Sequence, residues 1–283
     1  MDDKNTRVTI IILHYKKTDR TIRNVNYLLQ QKTDFGLKII LVDNSGHEKR
    51  RQLLVESFKQ CGNVEILVNP RNLGYTRGYN SAKGHEEGDY IFSVNDDILF
   101  EEDDSMQKIV NYMDSHPEVA ILGPEQINDD GTITMSVRAF PRLYLQVARR
   151  TFFRNTPVLK EKIAHDEMRH LDYSRIQDVD WLQSSCCIIR RDFWERVGGY
   201  NEYYFLFMAD TEMCFRAWEM GYRVTYFPET RVYQDGLRVS RGGFLDFFRS
   251  WVLRQHVWDS LKYTSRHWNE KNPRKIYYEK HKN

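Results

Sequence analysis

An apolar run at residues 90–94 ends abruptly in three oxygen-bearing side chains, Asn95, Asp96 and Asp97. Two carboxylates that close together repel each other unless a cation or hydrogen bonds hold them. Oxygen ligands suit a hard divalent ion such as Mg2+ or Mn2+, and such an ion would in turn hold a diphosphate. A run of this length reads as a buried strand, and acids at its carboxyl end lie where open α/β folds bind their ligands. A solvated turn after a strand would leave the same three residues. Polar clusters also follow two other apolar runs: Asp43, Asn44 and Ser45 after 37–42, and Arg71 and Asn72 after 64–68. Asp210 is placed to cap a helix at 211–220, which would hold its carboxylate rigidly at the helix mouth.

The elements that must position these residues follow from periodicity. Residues 8–15, 37–42, 64–68 and 90–94 read as buried strands, continuous and rich in β-branched residues. Helical patterns at 20–31, 48–59 and 75–86 separate them, with Thr18 or Asp19 able to cap the first. This alternation predicts a parallel sheet with right-handed crossovers. A helix at 103–115, ended by Pro117, precedes a strand at 119–122. The pattern then changes: 128–131 is a turn signal and 132–139 alternates like an antiparallel strand. Residues 141–178 are basic, aromatic and irregular, and no element is assigned there. A strand at 180–189 and a short helix at 191–197, ended by Gly198 and Gly199, follow. Strands at 223–227 and 230–233 flank Pro228. Polar residues recurring at strand carboxyl ends are the layout of a nucleotide cleft.

Composition excludes several classes. No Gly-x-Gly-x-x-Gly follows the first strand and no Gly-Lys-Ser/Thr loop occurs, which removes dinucleotide dehydrogenases and P-loop enzymes. A nucleotidyltransferase would want a Gly-rich basic loop after the first strand, but His14, Tyr15, Lys16 and Lys17 stand there. A net charge of +2 is too small to argue for nucleic acid. The four cysteines lack zinc-binding spacing and read as reduced structural thiols, Cys186 and Cys187 pointing to opposite faces of a strand. No segment approaches the ~18 apolar residues of a membrane helix, and the first residues lack the apolar core of a signal peptide. The expectation is a cytoplasmic protein with 41% hydrophobic residues, enough for a sizeable core.

Taken together the pieces resemble the family 2 glycosyltransferases with the GT-A fold, and among them the bacterial rhamnosyltransferase-like branch. The resemblance covers about 7–237. It is carried by the first strand, VDNS at 42–45, NPRNLG at 69–74 with Gly78 and Asn80, and SVNDD at 93–97. IRRDFWERVGGYNE at 189–202, FLFMADTEMCFR at 205–216 and GYRVTYFP at 221–228 complete it. Each piece is weak alone; their common order is the signal.

The resemblance implies an α/β fold with a Rossmann-like, mainly parallel sheet flanked by helices. It also implies an inverting, metal-assisted transfer of a sugar from a nucleotide-sugar donor to a growing bacterial cell-surface glycan. The implied donor is dTDP-rhamnose, with a UDP-sugar as the alternative, and the implied cofactor is Mn2+ or Mg2+. Asp43 would accept from the nucleobase, with Tyr15, Asn44, Arg71, Asn72, Gly74, Asn95 and Asp96 on the donor side and glycine letting the backbone approach the nucleotide. Asp97 matches the metal-binding acid, and Asp210 the general base that takes the acceptor hydroxyl's proton. Trp181 and Glu212 fall on the acceptor side. Two positions depart from the family pattern: Ala209 where relatives carry Glu, and Gln234 where they often carry His. Gln234 or Asp235 would then supply an oxygen ligand, or Asp97 and phosphates alone would hold the metal. The departures also motivate a rival reading, a non-catalytic glycan-binding relative.

Residues 1–243 are expected to form the catalytic domain, with a nucleotide-binding half at about 1–123 and an acceptor-side half at about 124–243. Residues 244–283 form a basic, aromatic helical tail. From Arg249 onward nine Lys/Arg against three Asp/Glu leave a formal +6. Such a segment reads either as an anchor on an anionic membrane surface, which would put the protein at the inner face of the plasma membrane near a lipid-linked acceptor, or as a helix packed on the catalytic domain.

Overall fold

The computed structural model describes residues 5–142, 144–145, 148, 155–234 and 250–282. Strands β1 (Thr6–His14), β2 (Gly36–Asp43), β3 (Val64–Val68) and β4 (Tyr90–Asn95) pair in parallel in the order β3-β2-β1-β4. Helices α1 (Thr18–Leu29), α2 (Glu48–Phe58) and α3 (Gly74–Asn80) make the crossovers, as the alternation predicts. Beyond β4 the sheet continues through β10 (Cys186–Arg190), β6 (Val119–Asn128), β11 (Arg223–Gln234) and β5 (Ile98–Leu99), with β8 (Gln177–Asp178) also on β11. Here the direction changes: β10 is antiparallel to both β4 and β6, whereas β6 and β11 are parallel. A buried strand reads as an apolar run in either direction, so its sense is invisible to periodicity.

Alternate strand residues feed two cores, one on each face. Ile10, Ile12, Leu41, Phe92, Val94 and Ile188 pack with α1, α2 and α4 (Ser105–Ser115). Ile11, Ile40, Ile91, Ile121 and Ile189 pack on the other face with Tyr79, Trp194 and the aromatic side of α7 (Ala209–Glu219). Cys186 and Cys187 enter opposite cores and all four cysteines are free.

Several expected elements are shorter or split. The helix expected to reach residue 86 stops at Asn80, whose side chain pins the backbone of Tyr200 in both directions, donating to its O at 2.7 Å and accepting from its N at 2.9 Å. Of the alternating stretch at 132–139, only β7 (Val137–Arg138) forms a strand, paired with β9 (Trp181–Leu182). The run at 180–189 divides into β9 and β10 because 183–185 turn their backbone groups to other partners: Gln183 N donates to Ser136 O and Ser185 O accepts from Asn95 N. Residues 223–234 form one strand with a register shift between Phe227 and Arg231. The unassigned region contains a helix, α5 (Pro157–Asp166), opened by Thr156 and Pro157. Helix α6 (Arg191–Val197) ends on Gly198 at φ +77.

The C-terminal segment packs on the sheet domain. Helix α8 (Trp251–Arg266) is capped by Ser250, and α9 (Pro273–Lys280) by Asn272. Leu253, Asp259, Ser260 and Tyr263 face inward and are buried, and Tyr277 of α9 packs edge-on against Trp218 of α7 at 5.3 Å. Residues 244–249 of the expected helix lie outside the described residues. His267, just after α8, is wedged between Glu212 of α7, at 2.5 Å, and Glu270. Burial disfavours charge on His267, but the two carboxylates outweigh it and raise its pKa. Burial likewise opposes charge on Glu212, yet His267, Arg266 and Arg216 hold it below the usual carboxylate range.

The two shifts set the pH window of this latch. Its His267 share is complete below the unfolded value of about 6.5 and is lost as pH rises through the raised folded value. The Glu212 share is lost only as pH falls through its lowered value. His267→Gln is therefore expected to lower Tm by roughly 5–10 °C at pH 6. The gap should narrow by pH 9, as thermal melts at the two pH values would show. An equal gap at both would contradict the ion pair.

Candidate active site

The register of the sheet gathers the polar clusters on one edge. His14 lies opposite Asp43, Leu13 opposite Asn95, Asp43 opposite Val68, and Cys186 opposite Val94. The carboxyl ends of β1, β2, β3 and β4 therefore share a rim with the start of β10. The end of β11 joins them through β5, where Gln234 pairs with Ile98, the residue after Asp97.

The paired acids sit in an environment hostile to their own charge. Burial, then the neighbouring Asp97 charge, pushes Asp96 up to about 6, against the pull of Arg20 and a hydrogen bond from Thr21 Oγ1 at 3.3 Å. Burial also raises Asp97, with Arg20 and the Gln234 amide pulling it back. Arg20 Nη1 stands 3.7 Å from Asp97 Oδ2, a long contact that compensates incompletely. Asp97 Oδ1 and Gln234 Oε1 are both buried and accept no hydrogen bond. Such orphaned oxygens carry a desolvation cost of ~1–3 kcal/mol each, and they are the donor type a hard divalent ion takes. These two oxygens fit Mn2+ or Mg2+, with further ligands coming from a bound phosphate. No group of three or more His, Cys, Asp or Glu gathers for a metal among the described residues, and Asp235 lies outside them.

Asp210 is the second residue of α7 and does not cap it; the cap position is Met208, held at φ +67. Its carboxylate accepts from Thr211 N at 2.8 Å and from Ser184 N at 3.3 Å. Burial raises its pKa, these N–H groups lowering it in part. Ser184 O in turn accepts from Tyr75 Oη and Ser93 Oγ, each at 3.2 Å. The 183–185 break in the strand pattern thus ties Asp210 to β4 beside Asn95, whose Oδ1 faces Tyr79 Oη at 3.4 Å.

At the end of β2 Asp43 is buried and holds Ser45 N through Oδ1 at 3.0 Å. Asn44 is also buried, and its amide is spent within the protein. It donates to Asn72 Oδ1 and Gly74 O, and accepts from Asn69 Nδ2 and Leu73 N. It shapes the 69–74 loop, whereas Tyr15, Arg71 and Asn72 are exposed at the rim. Gly74 has φ +85, and a Cβ there would meet Phe205 at 2.7 Å. The close approach expected of this glycine is therefore to Phe205, whose O also takes the N–H of Tyr75 at 2.8 Å.

Of the two expected acceptor-side residues, Glu212 is committed elsewhere. Glu212 is 1% exposed and bound by His267, Arg216, Arg266 and Tyr204, so its carboxylate joins α7 to the C-terminal helices. Trp181 is partly buried and its indole N–H is committed to Ala139 O at 2.8 Å. Sequence reasoning missed Arg20 and Ser184. A cation in the helix after β1 is a weak signal, and a serine inside an apolar run is none.

A mixed sheet flanked by helices on both faces, with polar side chains gathered at one edge of strand ends, defines an α/β fold whose ligand site lies on that edge. The sequence profile of glycosyl transferase family 2 matches residues 9–194, and the chain belongs to that family, in its rhamnosyltransferase-like branch. It is 25% identical over 222 residues to the N-acetylglucosaminyl-diphospho-decaprenol L-rhamnosyltransferase of Mycobacterium tuberculosis, covering 72% of this chain and 68% of that protein. It is 27% identical over 169 residues to rhamnosyltransferase WbbL of Escherichia coli (strain K12), covering 59% of this chain and 60% of that one. Among solved structures it resembles the mannosyltransferase PcManGT of Pyrobaculum calidifontis in complex with GDP-Man and Mn2+. The TM-score is 0.62 at 16% identity, covering 98% of this chain and 69% of that one. GalNAc-T7 with UDP, GalNAc and Mn2+ gives a TM-score of 0.61 at 14% identity, covering 88% of this chain, which spans about half (48%) of that one. These structures establish the GT-A fold.

Proposed function

We propose that the protein is an inverting, metal-assisted glycosyltransferase moving rhamnose from dTDP-rhamnose to a saccharide acceptor, lipid-linked in the cell. The observation that carries this reading is the rim itself: the orphaned oxygens of Asp97 and Gln234 share one sheet edge with Asp43 and the half-buried carboxylate of Asp210. The rhamnosyl assignment draws on the relatives' names, and the lipid-linked acceptor on that of the decaprenol enzyme.

In this mechanism Asp43 accepts from the pyrimidine imide N–H, and the exposed Tyr15, Arg71 and Asn72 flank the nucleotide, with Asn95 and Asp96 toward the ribose. Asn44 and Gly74 act by shaping that loop. Asp97 and Gln234 would hold Mn2+ or Mg2+, which when bound neutralises charge on the leaving diphosphate. Asp210 takes the proton of the acceptor hydroxyl as its oxygen attacks the anomeric carbon in line. The new C–O bond forms as the bond to the diphosphate breaks, with inversion. A carboxylate whose pKa is raised by burial is a stronger base than one in water, and the N–H groups of Thr211 and Ser184 fix its direction. Residues 1–243 would form the catalytic domain on this reading, with α8 and α9 packed against it.

The test is nucleoside diphosphate release from a panel of dTDP-, UDP- and GDP-sugars with Mn2+, Mg2+ or chelator. Metal-dependent release from dTDP-rhamnose supports the full reading. Turnover with another donor alone overturns the rhamnosyl assignment, and no release from any donor with saccharide acceptors present overturns catalysis.

No described helix is long and apolar enough to cross a membrane. The outer face of α8 and the turn after it nevertheless expose Trp251 (50%), Trp258 (59%), Leu261 (43%) and Trp268 (71%) at spacings of seven, three and seven. Arg254 lies on the same stripe. This face fits an anionic bilayer at the inner side of the plasma membrane. Because the inner face of α8 is built into the domain, deleting the segment would disturb the fold, and outer-face substitutions are the cleaner test. Replacing Trp258, Leu261 and Trp268 by Ser, and leaving Trp251 because it packs on Phe205, is expected to reduce co-sedimentation with phosphatidylglycerol vesicles by at least about tenfold, with Tm unchanged. Undiminished sedimentation would end the membrane reading.

A further inference from the structure

Between Tyr204 and Ala209 the chain runs as an irregular loop with no helix or strand of its own. It touches both halves of the proposed site. Phe205 receives the N–H of Tyr75 and fills the space where Gly74 would carry a Cβ, so it abuts the 69–74 loop. Three residues later Met208, at φ +67, opens the helix that carries Asp210. What holds this loop comes from far away in sequence. Asp259, on the inner face of α8 and fully buried, accepts from the backbone N–H of Phe205, Leu206 and Phe207 at 3.5, 3.1 and 3.0 Å. Gln255 Nε2 donates to the same carboxylate at 2.9 Å, with Lys262 Nζ at 3.8 Å. Flanking contacts follow the same path: Trp251 stands edge-on to Phe205, His256 lies 4.5 Å from the Phe207 ring, and Lys262 donates to Tyr203 O at 2.7 Å.

We infer that Asp259 is a positioning residue for the transfer reaction, its carboxylate clamping 205–207 so that Asp210 and the 69–74 loop keep a fixed relation. A buried carboxylate is costly unless its oxygens are taken up by donors. Three consecutive N–H groups aimed at one carboxylate make charge-assisted bonds, stronger than neutral ones. Without the acid these N–H groups would lack an acceptor, and the loop would move to find water. Small displacements of a general base carry large rate penalties, because the proton transfer needs hydrogen-bond reach. The dominant effect expected is on kcat, since Asp210 needs hydrogen-bond reach of the acceptor, whereas the 69–74 loop is held independently by the Asn44 amide through Asn72, Leu73 and Gly74.

This inference rests on the proposed transferase activity, so the experiment has one arm that does not need turnover. Hydrogen exchange of the 203–212 amides is measured in the full chain for wild type, Asp259→Ala and Asp259→Asn, alongside kcat and KM for the donor. Ile109→Ala, which removes buried apolar surface on α4, serves as a control for general destabilisation. The expected result for Asp259→Ala is exchange at 205–207 faster by tenfold or more and kcat lower by about 10²-fold, with KM changed less than about threefold. Asp259→Asn, which retains an acceptor oxygen, should recover much of both, while Ile109→Ala lowers Tm with kcat near wild type. Unchanged exchange at 205–207 in Asp259→Ala overturns the clamp. Faster exchange with unaltered kcat, or an equal kcat loss in Ile109→Ala, overturns the positioning role. An inactive wild type would defeat the transferase reading, and the exchange arm would still decide the clamp.

Discussion

Asp210→Asn is expected to lower kcat for nucleoside diphosphate release by about 10³-fold, within the range that general acid–base catalysis supplies. Affinity for dTDP should stay within about twofold of wild type, because Asp210 sits on α7, away from the β2 and 69–74 positions assigned to the nucleotide. The substitution is nearly isosteric, and its remaining oxygen can accept from Thr211 N or Ser184 N. The stability effect has a definite sign. Burial raises the Asp210 pKa in the folded chain. Its contribution to stability is complete below the unfolded carboxylate value of about 3.9 and is lost as pH rises through the folded value. At pH 7 the wild type carries the cost of a half-buried charge that the variant lacks. The Tm of Asp210→Asn relative to wild type should therefore rise between pH 4 and pH 7. Steady-state kinetics, calorimetric titration of dTDP and melts at two pH values make the check. A kcat loss below tenfold would remove Asp210 as the base.

Asp97→Asn should separate metal binding from folding in the same way. Asp97 has one orphaned, buried oxygen, and its charge helps push the neighbouring Asp96 up to about 6. Removing the Asp97 charge is expected to abolish the increment in dTDP affinity that Mn2+ confers and to lower kcat by roughly 10²–10³-fold. In chelator the variant should melt higher than wild type at pH 7, since an electrostatic repulsion and a buried charge have both gone. Titration of dTDP with and without Mn2+, and melts in chelator, would show both effects. Metal-enhanced nucleotide binding that survives the substitution would move the ion elsewhere on the rim. Loss of activity with a lower Tm would mark Asp97 as structural.

The two predictions rest on different kinds of knowledge. Asp97 could be singled out from the chain itself, because an apolar run that stops in paired acids records a buried strand with a charged end. Its partner could not: Gln234 reaches Asp97 only because the two-residue β5 pairs antiparallel with the end of β11. Asp210 was legible as an acid at a helix start. The N–H of Ser184 that orients it became visible only when the 180–189 run was seen to break at 183–185. Glu212 shows the opposite error. On a helix wheel it is one more charge, yet folding buries it completely against residues that follow α8.

By itself the sequence determined the alternating architecture of the first four strands, the two-faced packing of the sheet, the clustering of oxygen-bearing residues at strand ends and the family. All of these are written in local periodicity and in short motifs, where each residue's neighbours in the chain are also its neighbours in space. The antiparallel insertion of β10, the exchange of Gly74's expected ligand contact for Phe205, and the clamp of Asp259 on 205–207 were decided only by the tertiary structure. A buried strand carries no mark of its direction, a glycine does not say what approaches it, and an aspartate on an aromatic helix reads as a solvated charge. Only folding shows that three backbone N–H groups some fifty residues away in the chain converge on its carboxylate.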